Sequence, residues 1–358
     1  MRQLIRAIID TSALRSNLRQ LKARAPGSRV MAVVKANAYG HGLALAARAL
    51  PEADAFAVAR LDEAMELREA GVQQAIVLLE GVFGAEQLEE AARQQLEIVV
   101  HDPAQIALLE RQVGEHRFTL WLKVDTGMNR LGFRTEEFPQ ALDRVRALRV
   151  APAEIRVMTH LARADERDCP MTQGQLARFD ALTAHLGLAR SIGNSAGILG
   201  WEGARGEWVR PGLALYGISP FPQESSAGFG LIPVMTLVST VVTVRRVPRG
   251  ETVGYGGAWT AARDSRVAIV AGGYGDGLLR SLPTGAPVLV NGRRAPLIGR
   301  VAMDMIAVDV SDLPEVEVGT RCVLWGRGLE VTEIAASAGT VPYELLCGVR
   351  ARVPREAI

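Results

Sequence analysis

Arg29-Val-Met-Ala-Val-Val-Lys-Ala-Asn-Ala-Tyr-Gly-His-Gly42 runs from an apolar stretch, through a lysine, into a turn rich in Ala, Asn and Gly. Five apolar residues in succession, 30–34, predict a strand buried on both faces, as in a parallel sheet covered by helices. Lys35 therefore stands where such a strand ends. Lysine rarely enters a dry interior without a partner, so its place at the mouth of a strand has two readings. In one it snorkels to water at the start of a loop. In the other it is a reactive amine, kept ready to join a carbonyl covalently.

Outward from this strand, residues 28–217 alternate short apolar runs with amphipathic stretches. Strands are expected at 30–34, 55–58, 75–79, 96–100, 118–124, 154–159, 189–192 and 206–209. Helical patterns lie between them, at 61–70, 85–95, 103–113 and 171–186, and Asp102-Pro103 offers an N-cap followed by proline at the first helical position. Eight strands alternating with helices predict an α/β fold of the (β/α)8, or TIM-barrel, type. A doubly wound sheet is the alternative, but no glycine-rich phosphate fingerprint follows the first strand.

Past residue 231 the texture changes. Residues 234–247 alternate and are β-branched, 266–271 form another apolar run, and Asn291-Gly292 marks a tight hairpin. Strands are expected again at 301–310, 321–325 and 349–353, with one helix near 330–338. The expected division is a barrel over 1–230 and a C-terminal β-rich domain over 231–358, with the Pro- and Gly-containing stretch 219–230 as boundary. The first residues, about nine, are expected to pack with the C-terminal domain.

The 358 residues are 48% apolar and 22% charged with a formal charge of +2, an ordinary globular balance that offers no nucleic-acid surface and no polybasic membrane contact. Cys169, Cys322 and Cys347 are far apart and lack metal-ligand spacing, so they read as reduced thiols. The N-terminus has no apolar core of signal-peptide length and no run approaches a membrane span. A cytoplasmic location is expected.

In barrel enzymes the reacting groups sit at the C-terminal ends of strands. Lys35 ends the first strand, and Arg130 follows the fifth in Lys123-Val-Asp-Thr-Gly-Met-Asn-Arg-Leu-Gly132. His160 ends the sixth, Asn194 and Ser195 follow the seventh, and Arg210-Pro-Gly212 follows the eighth. Alone, a histidine at a strand end is a hydrogen-bonded structural residue, and an arginine before Pro-Gly is a solvated charge. Their shared position points to one opening. A lysine joined to an aldehyde needs an anchor for the rest of that molecule. The N–H groups of Gly212 and Leu213, beside the Ser195 hydroxyl, could cradle a phosphate. Arg210, permanently charged, could face a ring nitrogen and keep it unprotonated.

Lys35-Ala-Asn-Ala-Tyr-Gly-His-Gly42 resembles the pyridoxal-phosphate attachment motif of bacterial alanine racemases. The resemblance covers essentially the whole chain and recurs at Asp125-Thr-Gly-Met-Asn-Arg-Leu-Gly132, Met158-Thr-His-Leu-Ala-Arg-Ala-Asp165, Asn194-Ser-Ala196, Arg210-Pro-Gly212 and Val253-Gly-Tyr-Gly256. It continues at Gly273-Tyr-Gly-Asp-Gly277, Gly299-Arg-Val-Ala-Met-Asp304 and Tyr343-Glu344. What it implies is a pyridoxal-phosphate barrel followed by a β domain, active as a homodimer with shared sites. Lys35 would bind the cofactor covalently and serve as one acid–base group, and Tyr255, from the second subunit, as the other. Tyr39, Ser195, Gly212, Leu213 and Tyr343 match phosphate-binding positions, Arg210 the partner of the pyridine nitrogen, and His160 the residue packed near the ring. Arg130 and Met303 match substrate-carboxylate contacts, and Lys123 a lysine that is carbamylated in some members. Tyr274 matches a tyrosine narrowing the substrate entrance, with Asp165, Arg280 and Arg300 further out.

The implied reaction interconverts L- and D-alanine by two bases on opposite faces, supplying D-alanine for peptidoglycan. A free tyrosine titrates near 10, so Tyr255 needs activation in that role, and His160 with Arg210 could form the hydrogen-bonded chain. The sequence departs from the family's common pattern at Ala302 (for Cys), Leu161 (for Phe) and Asn129 (for Gly), none a reacting group. Two alternatives stay open at this point: a racemase of broader amino-acid specificity, and a barrel that only binds pyridoxal phosphate. A related decarboxylase is disfavoured by the segments around Tyr255 and 299–304.

Overall fold

The structure, a computed structural model, describes residues 3–358. The chain packs into two compact units: Leu14–Ala38 with Leu43–Leu231, and Ile232–Ile358 with Tyr39–Gly42 and the residues through Ala13. The N-terminal residues and the loop 39–42 thus group with residues 232–358.

The first unit is a closed barrel of eight parallel strands: Arg29–Val33, Ala55–Val58, Ala75–Leu78, Glu97–Val100, Thr119–Asp125, Glu154–Met158, Arg190–Ser191 and Trp208–Val209. Each pairs with the next, and the eighth returns to the first through Trp208↔Arg29 and Val209↔Val30. The strands are buried because helices such as Leu61–Glu69, Ala85–Arg93 and Pro103–Glu110 cover their outer faces. Asp102 caps the last of these by accepting from Ala104 N at 2.8 Å, just before Pro103.

At the N-terminal ends of the strands the barrel is plugged. Trp121 and Trp208 meet edge to face, with centroids 5.6 Å apart. The Arg156 guanidinium lies 5.0 and 4.9 Å from the two ring centroids and pairs with Glu97 at 3.1 Å. Trp121 Nε1 donates to the same Glu97 at 2.6 Å. Conserving this plug would serve stability, because the chemistry of such barrels lies at the opposite end.

In the second unit six antiparallel strands close on themselves: Met235–Val247, Ser265–Ala271, Met305–Asp309, Arg293–Ile298, Pro287–Val290 and Arg321–Trp325. Met235–Val247 shifts register near Val238 and again near Thr243, and these irregularities let one long strand serve two neighbours. Arg6–Ile9 extends the sheet, antiparallel to Met235–Val247 and parallel to Arg355–Ala357. Asn291 and Gly292, with φ of 51° and 78°, make the expected tight turn.

Two expectations in this half fail. Residues 349–353 are not a strand; a second helix, Pro342–Gly348, precedes them and the strand comes later at Arg355–Ala357. The carbonyls of Val349, Arg350 and Val353 all accept from the Arg355 guanidinium at 2.8–3.0 Å, so one side chain replaces a ladder. The helix begins because Val341 is extended and Pro342 occupies the first helical position. No described helix is long and apolar enough to cross a membrane.

Candidate active site

The first barrel strand ends at Val33, and Lys35 opens a single turn, Lys35–Tyr39, of unusual hand. Ala36, Asn37 and Ala38 have φ/ψ of 53/50°, 56/45° and 53/50°, and Tyr39 has φ 51°. Four consecutive non-glycine residues in the left-handed region strain the backbone, at roughly 1–2 kcal/mol each. The turn is held by its surroundings: Ala36 N–H donates to Glu63 Oε1 at 2.6 Å, and Leu43 N–H to Asn37 Oδ1 at 2.8 Å. Such strain persists where the surroundings over-determine a functional geometry.

The barrel's C-terminal end gathers positive charge. Arg210, buried, donates to Ser191 Oγ at 2.6 Å, to Thr159 O at 2.6 Å, to Ile192 O at 3.3 Å and toward His160 Nδ1 at 3.4 Å. No carboxylate forms an ion pair with it among the described residues. Burial holds its guanidinium down to about 10, still charged at neutral pH. Lys123 is buried on the fifth strand. Burial first, then the charges of Arg210, Arg130 and Lys35, hold its amine down to about 8, with Asp125 pulling the other way.

Burial, and after it Arg210, Lys123, Arg130 and Lys35, hold the His160 imidazole well below its usual value, so it is neutral at pH 7. With Nδ1 accepting from Arg210, the proton of a neutral imidazole belongs on Nε2. Arg130 is exposed at the tip of the loop after the fifth strand, whose turn Asp125 braces by accepting from the N–H groups of Gly127 and Asn129. Asp165 is exposed in the loop after the sixth.

Asn194 caps the helix Ser195–Gly200 by accepting from Gly197 N at 2.9 Å. Ser195 Oγ, buried, accepts from Gly212 N at 3.0 Å and Ala214 N at 3.1 Å. The Gly212 amide is thus engaged by Ser195, beside Leu213. Its acceptor sites taken, the Ser195 hydroxyl keeps a proton to donate outward.

The remaining candidates belong to the second unit. Tyr39 is buried and its ring lies 5.7 Å from that of Tyr343. Burial, then Tyr343 and Cys347, push the Tyr39 phenol up, which keeps it a donor. Tyr255 begins a one-turn element, Tyr255–Gly257, between the paired strands Thr252–Val253 and Trp259–Thr260, and is 70% exposed. Arg300 borders this turn, 3.3 Å from where a Cβ on Gly256 would lie. Tyr274 and Met303 sit on two interlocked loops. Tyr274 N donates to Ala302 O at 3.0 Å and Gly275 N to Met303 O at 2.8 Å. A Cβ on Gly273 would lie 2.2 Å from Ala302 O, so only glycine fits there. Ala302 contributes through its backbone. Arg280 is exposed.

Residue-by-residue reading missed Gln175, Thr126 and Thr159, which brace the barrel residues. The available signal was spacing: Thr172, Gln175, Phe179 and Thr183 form the buried face of the helix Pro170–Thr183, and a glutamine on that face needs partners.

A parallel barrel whose strand ends present a lysine, a neutral histidine and a buried arginine without a carboxylate partner, in one chain with a β domain bearing an exposed tyrosine, defines a barrel enzyme. The family model of the alanine racemase N-terminal domain matches residues 9–220, and that of the C-terminal domain residues 234–357. The chain belongs to the alanine racemase family, a family of isomerases. Alanine racemase of Shewanella baltica (strain OS155) is 49% identical over 348 residues, 97% of either chain. That of Azoarcus sp. (strain BH72) is 50% identical over 345 residues, 96% of either. The crystal structure of the biosynthetic alanine racemase of Pseudomonas aeruginosa superposes with a TM-score of 0.97 at 44% identity, covering all of both chains. Barrel followed by β domain is the fold the resemblance implied, and it is the fold found.

Proposed function

We propose that this protein interconverts L- and D-alanine with pyridoxal 5'-phosphate as cofactor, in the cytoplasm, and supplies D-alanine to the cell wall. The observation that carries the reading is Arg210: a buried guanidinium without a carboxylate, held by neutral oxygens through Nη1 and Nη2 and turned toward His160 Nδ1. An arginine held this way can face a ring nitrogen without giving it a proton. The residues present fit a phosphorylated aldehyde: Lys35 to bind it covalently, the Ser195 hydroxyl and the Leu213 amide to hold its phosphate with the Gly212 amide orienting that hydroxyl, and Tyr39 and Tyr343 to add phenol donors.

When bound, the cofactor's ring draws off the charge left at Cα, which makes that proton removable. Lys35 Nζ moves the proton on one face of Cα. Tyr255 of the partner subunit moves it on the other, in a homodimer whose sites are shared. The neutral His160, carrying its proton on Nε2, is suited to hydrogen-bond that phenol. Arg130 and the Met303 backbone receive the substrate carboxylate, while Tyr274, with Asp165, Arg280 and Arg300 further out, restricts the entrance to small side chains.

Lys123, an amine near pKa 8 among cations, is suited to take up carbon dioxide as a carbamate, losing a proton and becoming an anion that braces Arg130. The test of the whole reading is turnover by the purified holoenzyme on L-alanine and on L-serine. D-alanine formation well above D-serine formation is expected. Bound cofactor with no turnover of either would refute it.

A further inference from the structure

We propose that Gln175 is a positioning residue that ties the Arg130 loop to the His160 strand end, so that both are registered on one helix; the inference rests on the racemase reading above. Gln175 lies mid-helix in Pro170–Thr183, and its exposure is 0%. Its amide is fully used. Nε2 donates to Thr126 Oγ1 at 3.2 Å, in the loop that leads to Arg130, and to His160 O at 3.0 Å. Oε1 accepts from Ala162 N at 2.9 Å, in the loop after His160. One side chain thereby grips the segments after the fifth and the sixth strands.

Two further contacts make the tie stiff. Thr126 Oγ1 and Thr159 Oγ1 share a 2.8 Å hydrogen bond, and Thr159 O is an acceptor of Arg210. Arg178, one turn along the same helix, donates to Thr126 O at 2.8 Å. Residues that contact the proposed ligands, Arg130, His160 and Arg210, are thus linked behind the mouth through the neutral side chains of Gln175, Thr126 and Thr159, with the Arg178 cation on the Thr126 carbonyl. A neutral linker is what this place demands, since an ionised carboxylate beside Arg210, Lys123 and Arg130 would raise His160 toward protonation. An amide can both donate and accept without adding charge.

The test compares wild type, Gln175→Met and Gln175→Glu as holoenzymes, by hydrogen exchange of peptides and by alanine kinetics. Met keeps the side chain's volume and removes every hydrogen bond; Glu keeps the acceptor for Ala162 and can accept from the Thr126 hydroxyl, losing only the donor to His160 O. Losing the buried bonds between the two loops is expected to speed exchange about tenfold in residues 125–132 and 160–163 of Gln175→Met. Gln175→Glu, which keeps the Thr126 contact, is expected to leave 125–132 protected. The KM for alanine is expected to rise about tenfold in Gln175→Met, with a smaller fall in kcat, because Arg130 loses its place before the proton-transfer groups do.

Unchanged exchange in 125–132 of Gln175→Met, or an equal rise across the whole barrel, would overturn the proposal, as would kcat falling alone. If Gln175→Met does not fold, Thr126→Val, which breaks the tie on the Arg130 side alone, decides by faster exchange in 125–132. If wild type does not turn over alanine, the racemase reading fails on its own. The exchange pattern would still decide whether Gln175 holds the two loops.

Discussion

Lys123 sits inside the barrel on the fifth strand facing other cations, and its charge works against the fold. Its folded-state pKa of about 8 lies below its ordinary value of 10.5. Between those values the unfolded chain binds a proton that the folded chain does not, so stability rises with pH across that window. Below pH 8 the full deficit is present. With carbon dioxide excluded so that Lys123 is the free amine, Lys123→Met is therefore expected at pH 7 to raise unfolding free energy by up to about 3 kcal/mol, measured in denaturant, and the gain is expected to vanish above pH 10.5. Lower stability of the variant at pH 7 would contradict this. Its activity is expected to fall, since the variant cannot form the carbamate proposed to brace Arg130. Which polar residues meet at the mouth was legible from sequence, because a strand end is recognisable and barrel chemistry collects there. That Lys123 points inward beside Arg210, or that Gln175 reaches both loops, depends on side-chain direction and helix packing, which residue order alone does not carry.

Among elements, the turn after the first strand departs furthest from local preference. Ala36-Asn37-Ala38-Tyr39 contains no glycine, yet all four residues are left-handed. Nothing in that composition announces the conformation; tertiary contacts such as that of Glu63 with Ala36 N impose it. Glycine has no penalty in this region, so Ala36→Gly is expected to stabilise the protein by about 0.5–1 kcal/mol, against the usual loss for Ala→Gly in a helix. Denaturant unfolding of the variant checks it, and a loss of that size would mean the strain is not there. Barrel strands were readable to within a residue or two because most are short, largely apolar runs between turn signals. The stretch 349–353, Val-Arg-Ala-Arg-Val, alternates like a half-buried strand and is none; Arg355 satisfies the carbonyls of Val349, Arg350 and Val353 from the side. The helix Pro342–Gly348 escaped because its proline start was the only local signal and its length is barely two turns.

For the whole molecule, the barrel separates what holds it together from what reacts. Arg156, Glu97, Trp121 and Trp208 close the N-terminal end, and burial raises the Glu97 carboxyl even with Arg156 beside it. Removing the cation strands that acid. Arg156→Met is expected to cost about 3–5 kcal/mol of stability while kcat/KM per folded molecule changes less than about twofold. A large loss of kcat/KM in folded protein would show the two ends are coupled. The β domain presents Tyr255, Met303, Met305, Val341 and Tyr343, all more than 40% exposed, a set of large apolar groups suited to a second subunit. A reading with Lys35 from one chain and Tyr255 from the other makes a sharp demand on that pairing.

The decisive measurement is alanine racemisation by Lys35→Ala, by Tyr255→Phe, and by the two variants co-expressed at equal levels. Each parent alone is expected to lose activity by about a thousandfold, the usual scale for removing an acid–base group. In the mixture half the dimers are mixed, and each of those keeps one of its two sites intact. About a quarter of wild-type activity should therefore return. Wild-type turnover by either parent would contradict the two-base account, and a mixture as inactive as its parents would contradict the shared site.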